Sequence, residues 1–171
     1  SCFKFQVSKR HVFAALLALC APLFVDAASL YFTVPKDIVF VGEDFEVSLM
    51  VDPEGELINA IGGKVTFPKD TFLLRDVHTG DSIIDLWIEG PEEENGAVVF
   101  SGIIPGGFDG IREPFTSRNA PGKILTLAVR AHAPGTAVFA LVDAALLANA
   151  GKGPPIIPEL RKGKIVVEAP G

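Results

Sequence analysis

Apolar residues recur at every second position through most of this chain, the signature of strands with one buried face. Leu30, Phe32 and Val34 alternate with Tyr31 and Thr33, and Pro35 closes that run. Phe45, Val47, Leu49 and Val51 alternate with Glu46, Ser48 and Met50, the cleanest half-buried strand in the sequence. Ile61, Gly63, Val65 and Phe67 form a third set, ended by Pro68-Lys69-Asp70. Phe72 to Val77 and Ile83 to Ile88 read as two further strands around Thr79-Gly80-Asp81. Ala97 to Ser101, extending toward Ile104, reads as the next. Leu125, Leu127, Val129 and Ala131 alternate with Thr126, Ala128 and Arg130. Pro134-Gly135 then supplies turn chemistry, and Thr136 to Val142 resumes a strand, so 123–131 and 136–142 are expected to form a hairpin. Lys164 to Glu168 is the last short strand.

The intervening segments carry turn residues. Val41-Gly42-Glu43-Asp44 and Asp52-Pro53-Glu54-Gly55 are turn signals, and Pro91 to Gly96 reads as an acidic turn ending in the favoured Asn-Gly pair. Gly106 to Pro121 reads as a long irregular loop. Asp143 to Ala150 is ambiguous, since its Ala and Leu content also allows a helical turn. About nine strands at regular spacing, without long amphipathic helices, predict an all-β antiparallel β-sandwich of the jelly-roll kind. A parallel sheet is not expected where crossover helices are missing.

Composition adds an expectation of export. Within the 171 residues, Lys4, Lys9 and Arg10 precede an apolar run from Val12 to Val25, and Val25-Asp26-Ala27 offers a cleavage site. Residues 1–27 are therefore read as a signal peptide, with an uncleaved N-terminal anchor as the alternative, and the protein as secreted, periplasmic or held at the cell surface. The run is short for a membrane span, so no stable span is expected after cleavage. Residues 28–168 are expected to form the domain, and Ala169-Pro170-Gly171 the start of a tail or linker. Both cysteines, Cys2 and Cys20, precede the cut, so neither a disulfide nor a Cys-based metal site is expected in the domain. Leu17 to Cys20 matches a lipoprotein signal poorly, because Leu19 is bulky where that motif takes a small residue. Past Ala27 there remain 12 Lys and Arg against 20 Asp and Glu, a net charge of −8. Such an acidic domain excludes the basic footprint of a nucleic-acid binder and is not drawn to anionic lipid.

Four segments resemble cohesin domains, the β-sandwich modules that hold dockerins. Val41 to Val47 is similar to the "VGD-x-V-x-V" opening of their second strand. Ile58 to Pro68, followed by Phe72-Leu73, resembles the strand that ends in "YDP-x-x-L". Gly106 to Gly110 and Gly122 to Thr136, with its Pro-Gly-Thr turn, match in order and spacing. Leu147 to Gly153 resembles a "LANDG-x-G" ending, with Ala150 where Asp is common. The resemblance covers most of residues 29–168. It implies a nine-stranded jelly roll without a catalytic site, binding a calcium-loaded dockerin through one sheet face. Dockerin-binding cohesins often carry an acid or amide in the strand matching 59–65, where this chain has Gly62 and Gly63. Asn59 and Lys64 are then its polar contact candidates. Carbohydrate-binding modules share the superfamily, so a polysaccharide partner is the alternative, and a structural surface-layer unit a third reading.

The residues offer little catalytic chemistry. Asp70, Asp76, Asp81 and Asp85 sit at turns or outward positions, with no spacing that implies a carboxylate pair across a cleft. His78 and His132 lie at strand ends, without a G-x-S-x-G motif. Glu92 to Glu94 lacks the alternating oxygen spacing of a calcium loop. Asp109 in the Gly107–Gly110 loop is a candidate oxygen donor, and an Asx-type turn explains it equally well. Tyr31 and Trp87 are the sole residues of their kinds, too few for a sugar-stacking strip, and Trp87 is read as half-buried. Phe108 and Phe115, in a Gly- and Pro-containing loop, are expected to be exposed anchors for a partner. No enzyme and no cofactor is expected. The expected role is an exported binding module with Asn59, Lys64, Phe108, Asp109 and Phe115 as contact residues.

Overall fold

A computed structural model describes residues 27–112, 114, 119–148 and 155–171. These residues form twelve strands and no helix: β1 (Ser29–Thr33), β2 (Ile38–Phe40), β3 (Asp44–Asp52), β4 (Ile58–Thr66), β5 (Phe72–His78), β6 (Leu86–Glu94), β7 (Ala97–Phe108), β8 (Gly122–Ala131), β9 (Gly135–Ala148), β10 (Pro155–Ile156), β11 (Glu159–Arg161) and β12 (Gly163–Glu168). The smaller sheet has five strands in the order β11-β1-β3-β8-β5. The larger has seven, in the order β2-β12-β9-β4-β7-β6 with β10 also paired to β9. The β-sandwich expectation holds. The nine strands read from alternation are all present, and the other three are edge pieces of two or three residues, too short to show a period.

Two of those short pieces pair in parallel. β11 lies parallel to β1 and β2 parallel to β12, while the other pairings are antiparallel. The connections between these partners run through much of the chain, which satisfies the long crossover that parallel pairing needs without a helix.

The expected hairpin of 123–131 with 136–142 does not form. β8 pairs with β3 and β5 in the smaller sheet, whereas β9 pairs with β4 and β12 in the larger. The Pro134-Gly135 corner carries the chain from one layer to the other. Pro91 to Glu94 belongs to β6 rather than to a turn. Only Asn95-Gly96 turns, with φ of 49° and 91°, the two left-handed residues of a tight hairpin. Ile83 to Asp85 lies before β6, held by Ile83 N–H donating to the Lys123 carbonyl at 2.9 Å. Asp143 to Ala148 continues β9 as strand, with a bulge where Gly62 faces Ala145 but Lys64 faces Val142. Asn149 and Ala150 lie outside the described residues.

The core lies between the sheets. Phe139 of β9 stands between rings from both layers: Phe72 at 5.2 Å, Phe67 at 6.1 Å and Phe32 at 6.2 Å between centroids. Phe45 meets Phe72 edge-on at 5.5 Å. Gly163 lets this cluster close, because a Cβ there would come within 2.8 Å of Phe32 Cβ. The buried Thr126 shares a 2.8 Å hydroxyl hydrogen bond with Ser48, so its polar atom is satisfied.

Phe139→Ala would leave a ring-sized cavity touching both sheets and cost about 3–5 kcal/mol. Ile157→Ala, at a side chain 85% exposed, should change stability by less than about 0.5 kcal/mol. Urea denaturation of the two variants against the parent checks both, and equal losses would place the cluster outside the cooperative core.

Candidate functional site

The outer face of the larger sheet carries the features of a docking surface. Residues opposite each other across antiparallel strands share a face. On β7, Val98, Phe100, Gly102 and Ile104 are buried inward, so Val99, Ser101 and Ile103 point out. Register then assembles rows across four strands. Leu86, Ile103, Ala60 and Leu147 form an apolar row, from β6 through β7 and β4 to β9. Glu89, Ser101, Gly62 and Ala145 form the next, and Glu92, Val99, Lys64 and Val142 the one after. Leu86 and Ile88 are 55% and 68% exposed, far more than large aliphatic side chains on a sheet need to be.

At the apolar end these rows enclose a groove of about 410 Å³. Ile88 and Leu147 stand at its sides, Ala60 and Ile103 lie between them, and Asn59, Ile104, Pro105 and Gly106 complete the lining. At Gly62 the adjoining strand leaves little room for a side chain, since a Cβ there would crowd the Phe100 carbonyl oxygen at 3.1 Å and Ser101 Cβ at 3.2 Å. An open sheet face with exposed aliphatic side chains suits a macromolecule better than a small substrate.

The candidates from the sequence divide. Lys64 does lie on this face, its Nζ 3.1 Å from Asp143 Oδ2 on the neighbouring strand. Asp143 reaches it from the bulge of β9, where its φ is 52°. Asn59 lines the groove, with its Nδ2 beside Gly107. Phe108 is not an exposed anchor. It is only 9% exposed, ends β7 opposite the buried Ile58, and packs its ring over Gly122, where a Cβ would meet Phe108 Cζ at 2.6 Å. The loop reading missed it because β7 runs on through Gly106 and Gly107. Asp109 is exposed just beyond, and its carbonyl accepts a 2.9 Å hydrogen bond from Asn119 Nδ2. Reciprocal 2.7 Å bonds between Ile111 and Ala120 close that loop. Phe115 lies outside the described residues.

Leu86, Ile88, Ile103 and Leu147 were missed in the sequence. Their signal is a break in alternation: Ile103-Ile104 and Leu146-Leu147 are adjacent apolar pairs, and Ile88 follows Leu86-Trp87. Consecutive apolar residues in a strand place apolar surface on both faces.

The smaller sheet presents a charged outer face. Asp44 receives both nitrogens of a bidentate guanidinium from Arg130, with Nε at 2.8 Å from Oδ1. That hydrogen bonding holds the Asp44 carboxyl below the usual carboxylate range. Lys36 does the same for Glu43 across 2.8 Å, and Arg161 for Glu159 across 3.0 Å. Among the described residues no three His, Cys, Asp or Glu side chains converge as a metal site would require. No helix of the described residues is long and apolar enough to cross a membrane.

Comparison with known proteins identifies the architecture. No protein-family model matches the sequence, and no curated protein matches it. Solved structures do match, over most of both chains. A non-cellulosomal cohesin from the hyperthermophilic archaeon Archaeoglobus fulgidus aligns with a TM-score of 0.64 at 11% identity, covering 84% of this chain and 92% of its own. The fold is the cohesin fold. The sixth cohesin of Acetivibrio cellulolyticus scaffoldin B, solved with a Cel5 dockerin mutant, aligns with a TM-score of 0.63 at 10% identity, covering 84% and 100%. A cohesin from a type I cohesin–dockerin complex of Clostridium thermocellum gives 0.61 at 15% identity, covering 84% and 96%. The resemblance of motifs and the architecture of the cohesin fold thus agree.

The three lowered carboxyls set a pH dependence. Their folded pKa values lie below the unfolded ones, so their contribution is complete above the ordinary carboxylate range and is lost as pH falls through the lowered values. Arg130→Gln should remove the Asp44 share at neutral pH and become indistinguishable from the parent in strong acid. Denaturation midpoints followed from pH 7 downward check this, and a gap that widened in acid would reverse the sign.

Proposed function

We propose that residues 28–168 form a non-catalytic protein-docking module that holds a dockerin-type partner on the outer face of the larger sheet. The observation that carries this reading is the row Leu86, Ile103, Ala60 and Leu147, apolar surface running across four strands of a cohesin fold, exposed at its two ends and half-buried between them. Several cohesins of this fold are solved with dockerins bound. An apolar centre bordered by Glu89, Glu92 and the Lys64–Asp143 pair has the anatomy of an interface, with dry contacts inside and charge at the rim. Calcium, on this reading, belongs to the partner. The segment 1–27 directs export, and the module acts in an extracellular or cell-surface assembly.

A polysaccharide partner finds less support. Trp87 lies opposite the buried Gly102 and packs against the core, while Tyr31 is half-buried on the other sheet. These two rings cannot form one stacking strip.

Titration calorimetry of the purified protein against a panel of calcium-loaded dockerins, those of its own host first, should give saturable heat with at least one. The heat should vanish when a chelator strips the dockerin. Replacing Asn59 and Lys64 together by Ala should weaken that binding by about tenfold or more while the fold is kept, because half-buried and exposed surface changes cost little stability. Unchanged affinity would remove this face from the interface; silence across the panel would remove the dockerin partner.

A further inference from the structure

A second apolar patch lies where β2, β12 and β9 meet, at the other edge of the larger sheet. Along β2, Val39 is buried while Ile38 and Phe40 are exposed, so these two point outward. β12 alternates in the same way, with Ile165 and Val167 buried and Lys164, Val166 and Glu168 outward. Register assembles the patch from three strands. Ile38, Val166 and Thr136 form one row, Phe40 and Glu168 a second, and Lys164 and Val138 a third. Ile38, Phe40 and Val138 are 46%, 42% and 38% exposed. The patch is separate from the docking rows: Thr136 and Leu147 stand toward opposite ends of β9, about 30 Å apart at ordinary strand rise.

The charges of this patch are arranged about a centre. Lys164 and Glu168 flank Val166 symmetrically along β12. They stand about 13 Å apart, too far to pair within one copy. Among the described residues no ion pair engages either of them, and Lys36, just before β2, is taken up by Glu43. A two-fold axis lying in the contact plane and crossing β12 at Val166 sets two β12 strands face to face and antiparallel. Lys164 of each copy then meets Glu168 of the other. Val166, Ile38 and Thr136, in the row on the axis, meet their own counterparts, as an isologous contact requires. An axis along the strands would instead set lysine against lysine and glutamate against glutamate, so charge decides between the two arrangements. Packed sheet faces lie about 10 Å apart, within the joint reach of a lysine and a glutamate.

We propose that this patch is a self-association surface, on which a second copy of the same chain packs antiparallel about a two-fold axis at Val166. The footprint is three strands wide and spans Lys164 to Glu168, about 14 Å by 17 Å. That is at the low end for a specific contact, so the dimer is weak and forms at high local concentration. The docking rows lie toward the far end of β9, and the second copy extends away from them. Both docking faces therefore stay uncovered, and on the docking reading one dimer holds two partners at once.

Sedimentation equilibrium of the purified protein, from about 20 µM to about 1 mM, is the test. The weight-average mass should rise toward twice that of the monomer. Lys164→Glu sets carboxylate against carboxylate across the axis, and Glu168→Lys sets ammonium against ammonium. Each should weaken association by about tenfold or more. Combining the two exchanges restores opposite charges across the axis and should recover the parent's association. Val166→Asp, at the axis itself, should abolish it. The charge exchanges alter exposed side chains and cost little stability, and circular dichroism checks that each variant is folded. A parent that stays monomeric throughout overturns the proposal. So does a dimer indifferent to the single exchanges, or one that the combined exchange fails to restore.

Discussion

Everything in this molecule depends on β9 serving two surfaces at once. Its inward residues Ala137, Phe139, Leu141 and Leu146 are buried, and Phe139 meets aromatic rings from both layers. Its outward residues Val142 and Leu147 join the exposed rows over β4 and β7. A strand alternates its side chains, so fixing Phe139 in the core fixes which residues face out. The bulge at Asp143 interrupts that alternation. With the same residues but no bulge, strict alternation from Ala144 onward would exchange the faces, sending Leu146 out and Leu147 in. The core contact and the shape of the docking face are therefore set by one strand and one irregularity within it.

Period-two alternation made the nine main strands legible, because a half-buried strand writes its orientation into every second residue. Partnering was less legible. Thr126 and Thr136 belong to different sheets although a Pro-Gly turn separates their strands, and a corner between layers uses the same residue types as a hairpin. Pro91 was equally misleading. Proline lacks the amide donor that a central strand needs, but β6 is an edge strand with one partner, where that loss is tolerated. Asn95-Gly96 did mark a tight turn, since its paired left-handed conformations favour those two residues directly.

The site was legible only in part, for a related reason. Lys64 was recognisable as an outward polar residue in a strand whose other face is apolar. Phe108 misled, because a large apolar residue amid glycines has the same local sequence whether its loop is free or its strand continues. Gly122, distant in sequence, makes room for its ring. The apolar row could not be read one strand at a time. Leu86, Ile103, Ala60 and Leu147 come from four strands and become a surface only through register. What the sequence does carry is the failure of alternation at Ile103-Ile104 and Leu146-Leu147, which signals apolar character on both faces.

The two outer faces then differ in what they can do. On the smaller sheet, charged residues largely satisfy one another, as in the bidentate contact of Arg130 with Asp44 and that of Arg161 with Glu159. A partner burying those pairs would have to offset their desolvation with little new attraction to gain. On the larger sheet, covering the aliphatic row removes apolar area from water, while on β6 Glu93 is held by Lys69 and, among the described residues, no ion pair engages Glu89, Glu92 or Glu94. On the proposed docking reading, burial of that row supplies the affinity. The two faces thus differ in kind: one leaves aliphatic area to the solvent, and the other keeps its charges paired among themselves.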